Sequence, residues 1–484
     1  MAEFKLKDIN IGCADGESEA SENENFKDMF YTDNNKYSQI MNSKNKFIIS
    51  GRKGTGKTIL AKYIQAMHHC KENNKIVSYV KLPIELKQEE IIERDIREVK
   101  SDEYPLFIKF FLLKTIANEI LNNRVKISMK QFSDFIKYYR SFLFVKKLFT
   151  NRYPHGNLIA ESAVSEYKAS NKKLAFGQKT NKKIKSFGAI INELEKHICI
   201  CLKYLNVILI LDDLDDMKTN LNKESDIKSF LANLINITRD LNIKISSESS
   251  FNKCIILIRD DILESLNSID SNLNKRVVDA EVTLNWMNDK DELISMLCNK
   301  IYNSNSEFSG LNKYNILDLF IKNKEQEQII KAILEKGFGR PRDLIMYFNF
   351  IIDKYGNQNN FSFNEIKSVL PDFSRKFWGE LKNELSFYHS SNYIDSIEEM
   401  LIAFGKKNFT FEELEEFAGN HLDEYECCVD ISKAVEIMYS FGIIGNIRQS
   451  NKFISFAFRP DGRKHVNKHE RLTIHYGLRR AFNV

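Results

Sequence analysis

The sequence predicts an α/β protein built around a parallel β-sheet, and three observations support this. Uninterrupted apolar runs such as 207–211 and 254–258 are typical of strands that are buried on both faces. Helical patterns of hydrophobic residues separate these runs, as they do in parallel sheets. The 484 residues include only six prolines and 19 glycines, which favours long helices over a turn-rich β protein.

The strands and helices of this sheet follow one another in a regular order. About 125 residues separate the second strand from the third, far more than a crossover needs, so we predict a basic, mainly helical insertion over about 88–186. Helices are expected over 57–69, 189–205 and 225–241. The strands are expected at 47–50, 76–80, 207–211, 254–258 and 282–284.

The second half of the chain has a different pattern. Residues 289–389 are helical in pattern almost throughout, whereas the last hundred residues mix helices near Phe411 and Ile431 with a β-hairpin. The hairpin is expected to pair 443–447 with 453–458. We therefore divide the chain into an N-terminal segment, a core, a helical domain and a C-terminal domain, over 1–45, 46–287, 288–390 and 391–484.

The charged residues are distributed unevenly. Lys and Arg number 71 against 66 Asp and Glu, a net charge of +5. The stretch 124–185 carries +12 and the stretch 448–484 carries +7, so the remainder carries −14. Each basic stretch is compatible with DNA or RNA binding, but the first is equally compatible with a solvated face and the second with protein docking. Aromatic residues at 138–144 have helical spacing, so we expect them in a core.

Cysteine and histidine usage indicates the compartment. Eight cysteines are scattered without the spacing of a zinc site, which favours a reduced, cytoplasmic environment. His465, His469 and His475 also lack metal-site spacing, and we expect them to be polar or core residues. The N-terminal residues lack an apolar core of signal-peptide length, and no run of about 18 uncharged apolar residues occurs, so neither secretion nor a membrane span is expected.

The turn after the first strand has the composition of a phosphate-binding loop. Its glycines allow backbone N–H groups to surround phosphate oxygens, Lys57 places a charge on the β- and γ-phosphates, and the Thr58 hydroxyl can bind Mg²⁺. A strand before the loop and a helix after it complete the required context. The sequence therefore predicts binding of ATP and Mg²⁺ by Gly51, Arg52, Lys53, Gly54, Thr55, Gly56, Lys57, Thr58 and Ile59.

Carboxylates follow the third buried strand. Asp212 is expected to hold Mg²⁺, and Asp213 is the better candidate to orient and deprotonate the attacking water. Asp215 and Asp216 continue onto the next loop, where they either tune the site or face solvent. The strand and its carboxylates therefore predict the second half of an NTPase site.

Arginines near the predicted site are candidates for sensing or completing it. Arg259 follows the fourth strand, where it senses the γ-phosphate or caps a helix. Arg342 lies near the start of a helix that has Pro341 in its first turn. We prefer Arg342 to Arg340 as the residue that contacts the phosphates. The alternative is that Arg342 is an exposed helix cap. Arg276 is either an arginine finger for a neighbouring subunit or part of a solvated loop.

Together these motifs resemble the AAA+/STAND division of P-loop ATPases, which includes KAP-type ATPases and initiators of the origin-recognition type. The similarity is closer to a family of bacterial P-loop ATPases. The matching segments are Ile11-Gly12-Cys13-Ala14-Asp15 with Glu17, the loop over 51–58, Asp212-Asp213-Leu214-Asp215, Ile258-Arg259, Gly339-Arg340-Pro341-Arg342-Asp343-Leu344 and His475-Tyr476-Gly477-Leu478-Arg479-Arg480-Ala481.

The resemblance implies a P-loop NTPase core in the form of an αβα sandwich, a helical lid and a winged-helix-like C-terminal domain. It places residues 12–17 near the adenine, and it implies nucleotide-controlled self-assembly and, for bacterial relatives, a role in anti-phage defence. The Asp-Asp pair at 212–213 departs from the Asp-Glu of most AAA+ enzymes. This departure implies slow hydrolysis, which suits a switch more than a motor.

We therefore expect an ATP-binding, slowly hydrolysing switch that forms homo-oligomers and responds to nucleic acid or a protein trigger. Because no nuclease, protease or NADase motif occurs, a destructive output would need a separately encoded effector protein. Two alternatives remain open: a DNA-binding initiator or loader that ATP clamps on the duplex, and an adaptor that binds nucleotide without hydrolysing it. None of these functions involves a membrane.

Overall fold

The computed structural model describes most of the chain and divides it into two compact units. The described residues are 4–87, 99–123, 132–150, 187–219, 221, 223–269, 272–287, 290–321, 326–448, 453–459 and 462–484. Most of the basic stretch 124–185 lies outside them. One unit, here called the sheet unit, comprises residues 35–52 and 57–284, and the other, the helical unit, comprises residues 1–34, 53–56 and 285–484.

The helices and strands of the described residues are numbered along the chain. The helices are α1 (Gly16–Glu22), α2 (Phe26–Met29), α3 (Lys36–Asn42), α4 (Lys57–His68), α5 (Leu82–Lys87), α6 (Tyr104–Asn122), α7 (Phe132–Thr150), α8 (Phe187–Cys201), α9 (Glu224–Glu248), α10 (Asp260–Ser265), α11 (Leu273–Ala280), α12 (Lys290–Ser304), α13 (Gln326–Leu334), α14 (Pro341–Tyr355), α15 (Phe363–Leu385), α16 (Ser391–Phe404), α17 (Phe411–Gly419) and α18 (Ile431–Ser440). The strands are β1 (Ile48–Ser50), β2 (Lys75–Lys81), β3 (Asn206–Asp212), β4 (Lys253–Ile258), β5 (Glu281–Thr283), β6 (Asn408–Phe409), β7 (Ile444–Ile447), β8 (Ile454–Ser455) and β9 (Arg471–Ile474).

The sheet unit is built on a five-stranded sheet with the order β2-β3-β4-β1-β5. All its strand pairs are parallel, which confirms the predicted α/β class and the predicted parallel sheet. Every residue of β4 is buried, and so is every residue of β3 after Asn206, as the apolar runs predict for strands covered on both faces. The order puts β4 between β1 and β3, so the residues that follow these three strands lie along one edge.

Helix α9 extends beyond its predicted end. The pattern indicates a stop near Leu241, but the buried face continues through Asn242 and Ile245, and the helix ends at Glu248. Asn242 explains the extension, because its side-chain amide donates to the carbonyl of Cys254 at 2.9 Å and accepts from the N–H of the same residue at 2.7 Å. A buried amide paired in this way joins α9 to β4.

The described part of the insertion contains α6 and α7, and α8 follows it. In α7, Tyr138 and Val145 are buried, as the aromatic spacing predicts. Tyr139 was expected in a core as well, and this expectation is wrong, because its side chain is 47% exposed. The helical period explains the difference: Phe135, Tyr139 and Leu143 are four residues apart, share one face of α7 and are all exposed.

The helical unit has one continuous hydrophobic core. It includes residues from the N-terminal segment, such as Leu6 and Ile11, together with Trp286, Phe338 and Phe377. Helix α14 begins at Pro341, as predicted, and α15 begins with a capping box. In that box the Ser362 hydroxyl caps the helix N-terminus while the Glu365 carboxylate accepts from the backbone N–H of Ser362 at 2.8 Å.

The C-terminal part of the helical unit carries a second, antiparallel sheet with the order β6-β9-β7-β8. The pairing of β7 with β8 confirms the predicted hairpin. Strand β9, which the pattern does not predict, pairs with both β6 and β7. His475 follows β9 and is fully buried, as expected for a core residue, and burial holds its pKa well below the ordinary value. Within the described ranges, no helix is both long and apolar enough to span a bilayer.

Candidate functional site

The residues predicted to bind and hydrolyse ATP follow the carboxyl ends of three neighbouring strands. The loop over 51–56 follows β1, Asp212 ends β3, and Arg259 follows β4. The register brings these ends together, since Ser50 pairs with Ile258 and Leu211 pairs with Ile256. Polar side chains that are far apart in sequence therefore meet at one edge of the sheet.

The loop has the backbone conformation that its glycines allow. Gly54 and Gly56 have φ values of 84° and 98°, in the region that side chains disfavour. A Cβ at Gly54 would also lie 3.0 Å from the Cβ of Arg342. Within the loop, Gly51 and Arg52 belong to the sheet unit with α4, whereas residues 53–56 belong to the helical unit.

Lys57, Thr58 and Ile59 form the first turn of α4. The Lys57 ammonium donates to the carbonyls of Gly51 at 2.7 Å and Arg52 at 2.9 Å. Burial lowers the pKa of Lys57, while the nearby carboxylates of Asp215 and Asp212 oppose that shift. The cation therefore lies in a desolvated position at a helix N-terminus, where an anion gains most from it.

Asp212 is held by three hydrogen bonds. One carboxylate oxygen accepts from the Thr58 hydroxyl at 2.8 Å and from the Tyr79 hydroxyl at 2.6 Å, and the other accepts from the backbone N–H of Asp213 at 2.8 Å. Oxygen ligands of this kind suit Mg²⁺, and a hydroxyl after the loop together with a carboxylate from another strand of the sheet is the pair that holds the ion in P-loop NTPases. Thr58 and Asp212 therefore fit the metal that the sequence predicts.

Tyr79 and Lys81 belong to the site but carry no sequence motif. Both lie on β2, whose register sets Lys81 opposite Asp212. The Lys62 ammonium lies over the Tyr79 ring, 3.5 Å from the ring centre, in a cation–π contact. Tyr79 and Lys81 could have been identified only from the pairing of β2 with β3. The hydrophobic pattern of the sequence does not show which strands pair.

Asp213 has an unusual backbone and an unusual carboxyl group. Its φ of 61° is left-handed, a conformation that Asp and Asn tolerate better than other residues with side chains. Burial, reinforced by the charge of Asp212, raises the pKa of Asp213 to about 7, although the ammonium of Lys81 lies only 3.7 Å away. A carboxylate with a pKa near neutrality is suited to accept a proton from water.

Arg259 is buried between two carboxylates. Its guanidinium donates to both oxygens of Asp261, at 3.0 and 2.6 Å, and lies 3.8 Å from Asp215. Asp215 therefore belongs to the site, whereas the side chain of Asp216 is exposed. Burial raises the pKa of the neighbouring Asp260, and the charges of Arg52 and Lys57 oppose this.

Arg276 lies on a helix and not in a loop. The expectation of a solvated loop around Arg276 is wrong for the described residues, because α11 spans Leu273–Ala280 with Val277 buried. The Arg276 guanidinium donates to the side-chain oxygen of Asn236 at 2.6 Å. Its role as an arginine finger stays a prediction.

In the helical unit, Arg340 and Arg342 have different surroundings. Arg340 is buried, pairs through two hydrogen bonds with Asp343 at 2.9 and 2.8 Å, and donates to Glu384 at 2.6 Å. These two carboxylates raise the pKa of Arg340 even though burial lowers it. The guanidinium of Arg342, preferred from the sequence, donates to the carbonyl of Ala14 at 3.1 Å and to Glu380 at 2.8 Å.

The N-terminal segment expected near the adenine is also held within the helical unit. The carbonyl of Gly12 accepts from the side-chain amide of Asn349 at 2.9 Å. The backbone N–H of Cys13 donates to Glu19 at 2.7 Å, and Glu19 forms a buried ion pair with Lys300. The segment is therefore an ordered part of this unit, and the adenine contact stays a prediction.

Removing the Tyr79 hydroxyl should weaken the metal site. In Tyr79→Phe, Asp212 loses one donor while the ring under Lys62 remains, so the carboxylate is less firmly oriented. Loss of such a supporting hydrogen bond raises the Mg²⁺ concentration needed for half-maximal ATP hydrolysis by about 10-fold. Tyr139→Phe on the exposed face of α7 is the control, and an unchanged Mg²⁺ requirement in Tyr79→Phe would show that the hydroxyl does not support the metal ligand.

Comparisons with known proteins add one family and one structure. Residues 291–382, from the start of α12 into the last turn of α15, match the family described as the FunZ-associated C-terminal helical domain. The chain is also similar to the Walker-type ATPase PABY2304 of Pyrococcus abyssi, at 13% identity over 93% of this chain and 97% of that chain, with a TM-score of 0.38. A comparison with curated proteins gave no match. The structure itself shows a mixed α/β protein with a parallel five-stranded sheet, and residues 291–382 are similar to the FunZ-associated C-terminal helical domain.

Proposed function

We propose that the protein is an ATP-binding switch that hydrolyses ATP slowly with Mg²⁺. The hydrogen bond of 2.8 Å between Thr58 and Asp212 carries this proposal, because it brings the hydroxyl after the loop to the carboxylate that ends β3. Lys57 supplies the charge for the β- and γ-phosphates from the same turn of α4. When bound, Mg²⁺ would neutralise charge on the phosphates, and Thr58 and Asp212 would hold it.

Hydrolysis is assigned to Asp213 as the base. Two features support a slow rate. Asp213 is one methylene shorter than the Glu expected at this place in most AAA+ enzymes. Arg259, the proposed γ-phosphate sensor, already donates two hydrogen bonds to Asp261, and these bonds oppose any shift of the guanidinium toward a phosphate. Arg342 remains the second proposed sensor.

Turnover and sizing of the purified protein test this proposal together. With Mg²⁺ and ATP we expect release of phosphate at a slow, saturable rate and a change from a smaller to a larger species in size-exclusion chromatography with light scattering. Saturable binding without turnover would favour the adaptor that binds nucleotide without hydrolysis. Turnover with no change in size would contradict nucleotide-controlled homo-oligomerisation.

The assignment to the AAA+/STAND division and the description of residues 288–390 as a lid are also proposals. The order of elements supports a winged-helix-like domain over 391–484: a helix, a short strand, two helices and then further strands, from α16 to β9. In such a domain α18 occupies the place of the recognition helix, and the chain between β7 and β9 forms the wing. An effector protein and a role in anti-phage defence rest on the resemblance alone.

A DNA-binding initiator or loader is the second candidate function, and the C-terminal charges define where it would bind. Residues 411–430, around α17, contain eight carboxylates and no Lys or Arg, and α18 carries a single exposed cation, Lys433. The wing exposes Arg463 and Lys464, and Arg471 is exposed on β9. Contacts to phosphates would therefore come from the wing and not from α18.

Removing the positive charges of the wing should weaken DNA binding to the same extent for every DNA sequence. For Arg463→Ala combined with Lys464→Ala, we expect the slope of log affinity against log salt to fall by about 2, one for each lost phosphate contact. Fluorescence anisotropy with duplexes of two sequences measures this slope. Lys433→Ala is the matched control, and an equal loss in the control, or no loss in the double variant, would contradict binding through the wing.

A second surface for DNA or RNA is proposed in the basic stretch 124–186. In its described part, the exposed rings of Phe135 and Tyr139 lie parallel with centres 5.8 Å apart. Arg140 and Lys147 are exposed on the same helix. Exposed aromatic rings beside cations are the features on which unpaired bases stack.

A further inference from the structure

The tip of the phosphate loop is held by hydrogen bonds to three consecutive carbonyls. Arg340 donates a side-chain N–H to the carbonyl of Lys53 at 2.8 Å. The backbone N–H of Arg342 donates to the carbonyl of Gly54 at 3.3 Å. The indole N–H of Trp286 donates to the carbonyl of Thr55 at 2.9 Å. All four loop residues at the tip, 53–56, belong to the helical unit with these donors.

Holding these carbonyls also orients the N–H groups of the loop. In a planar trans peptide, the C=O of one residue and the N–H of the next point in opposite directions. The carbonyls of Lys53, Gly54 and Thr55 therefore set the directions of the N–H groups at positions 54, 55 and 56. Backbone N–H groups at these positions are the ones that a phosphate-binding loop turns toward its ligand.

The donors are themselves fixed in place. Arg340 is neutralised by the carboxylates of Asp343 and Glu384, and its guanidinium lies 5.0 Å from the ring centre of Phe338. A cation that is buried and fully paired in this way is a poor ligand for a phosphate but a rigid donor to a carbonyl. Trp286 is 8% exposed and has an aromatic neighbour in Tyr31, with ring centres 6.1 Å apart.

We propose that Arg340 and Trp286 are positioning residues for the phosphate loop, which they preset for β-phosphate binding by holding its carbonyls. Arg340, a weaker candidate than Arg342 for a phosphate contact by sequence, thus acts on the loop backbone and not on the nucleotide. The inference rests on the proposed function, because it assumes that the loop binds a nucleotide.

The two tryptophans of the chain provide a matched pair of variants. Trp286→Phe keeps a buried ring and removes the one N–H that donates to Thr55. Trp378→Phe makes the same change where, within the described residues, the indole nitrogen has no hydrogen-bond partner. Calorimetric titration of both variants and the wild type with MgATP and MgADP measures the loss of affinity, and thermal unfolding measures the loss of stability.

We expect Trp286→Phe to weaken ATP and ADP by a similar factor of about 2 to 10, the loss for one neutral hydrogen bond. Trp378→Phe should bind both nucleotides as the wild type does. Arg340→Lys keeps the charge but loses the planar fork, and should weaken both nucleotides further. If that variant does not fold, Trp286→Phe still decides the question.

Trp286 also reports on the loop directly. In Trp378→Phe it is the sole tryptophan, so its emission should change with MgATP along the same saturation curve as the calorimetric heat. Wild-type affinity in a folded Trp286→Phe variant, or an equal loss in Trp378→Phe, would overturn the inference. Absence of ATP binding by the wild type would instead refute the proposed function, so the two failures are distinguishable.

Discussion

Lys57→Ala should weaken the binding of MgATP by roughly 30-fold or more while the protein remains folded. The Lys57 ammonium is partly buried and donates to the carbonyls of Gly51 and Arg52, and we propose it as the loop's cation for the β- and γ-phosphates. Loss of one partner from a buried charged pair costs about 2–5 kcal/mol, which weakens binding roughly 30-fold or more. Isothermal titration calorimetry with MgATP measures the effect.

The control for this variant is Lys71→Ala, which removes an exposed cation just after α4. It should leave ATP affinity unchanged and should not alter the temperature of unfolding. If Lys57→Ala binds ATP as tightly as Lys71→Ala does, the loop is not the phosphate site. A circular dichroism spectrum of each variant shows whether the fold is retained.

Asp213→Asn should stop hydrolysis and retain ATP. Asn tolerates the left-handed φ of 61° at this position, so the backbone is kept, but an amide cannot accept a proton from water. Loss of a general base reduces kcat by about 10²- to 10⁴-fold. Phosphate release measures kcat, and calorimetry shows that binding persists.

The pH dependence of turnover checks the same role. Because burial raises the pKa of Asp213 to about 7, a base at this position is protonated below that pH and active above it. Turnover should therefore rise as the pH increases through neutrality or slightly below, since a metal ion on Asp212 favours the charged form of its neighbour. Asp240→Asn, at an exposed carboxylate of α9, is the control. Full turnover in Asp213→Asn would assign the base elsewhere.

The local part of the site could be predicted from the sequence. The phosphate loop, α4 and the strands β3 and β4 are encoded by neighbouring residues: glycines with positive φ, an apolar run and a helix start. The structure places α4, β3 and β4 within one residue of their predicted bounds. Asp212 and Thr58 are 154 positions apart, yet the pattern of alternating strands and helices was enough to predict that both belong to one site.

The supporting residues could not be predicted because they depend on pairings between distant segments. Tyr79 reaches Asp212 only because β2 is the neighbour of β3. Nothing near Arg340 in the sequence shows that Glu384 will neutralise it. The sequence therefore could not predict that Arg340 is a donor to the loop backbone. Trp286 carries no motif at all, and its partner is a backbone carbonyl 231 positions away.

Surface charge shows a similar limit. The sequence locates the basic stretches, but it does not show which face of a helix they occupy. Tyr138 and Tyr139 are adjacent and have the same sequence neighbours, yet Tyr138 is buried and Tyr139 is exposed. Likewise, the acidic residues around α17 bear on the proposed DNA binding only through the order of helices and strands in the C-terminal domain.

Titration of the wild-type protein with ATP, in the presence and absence of Mg²⁺, tests the central claim most directly. The account predicts one bound nucleotide per chain and tighter binding with Mg²⁺, because Thr58 and Asp212 would share the ion with the phosphates. Absence of saturable binding with Mg²⁺ up to about 1 mM ATP, the upper end of ordinary enzyme affinities, would contradict it.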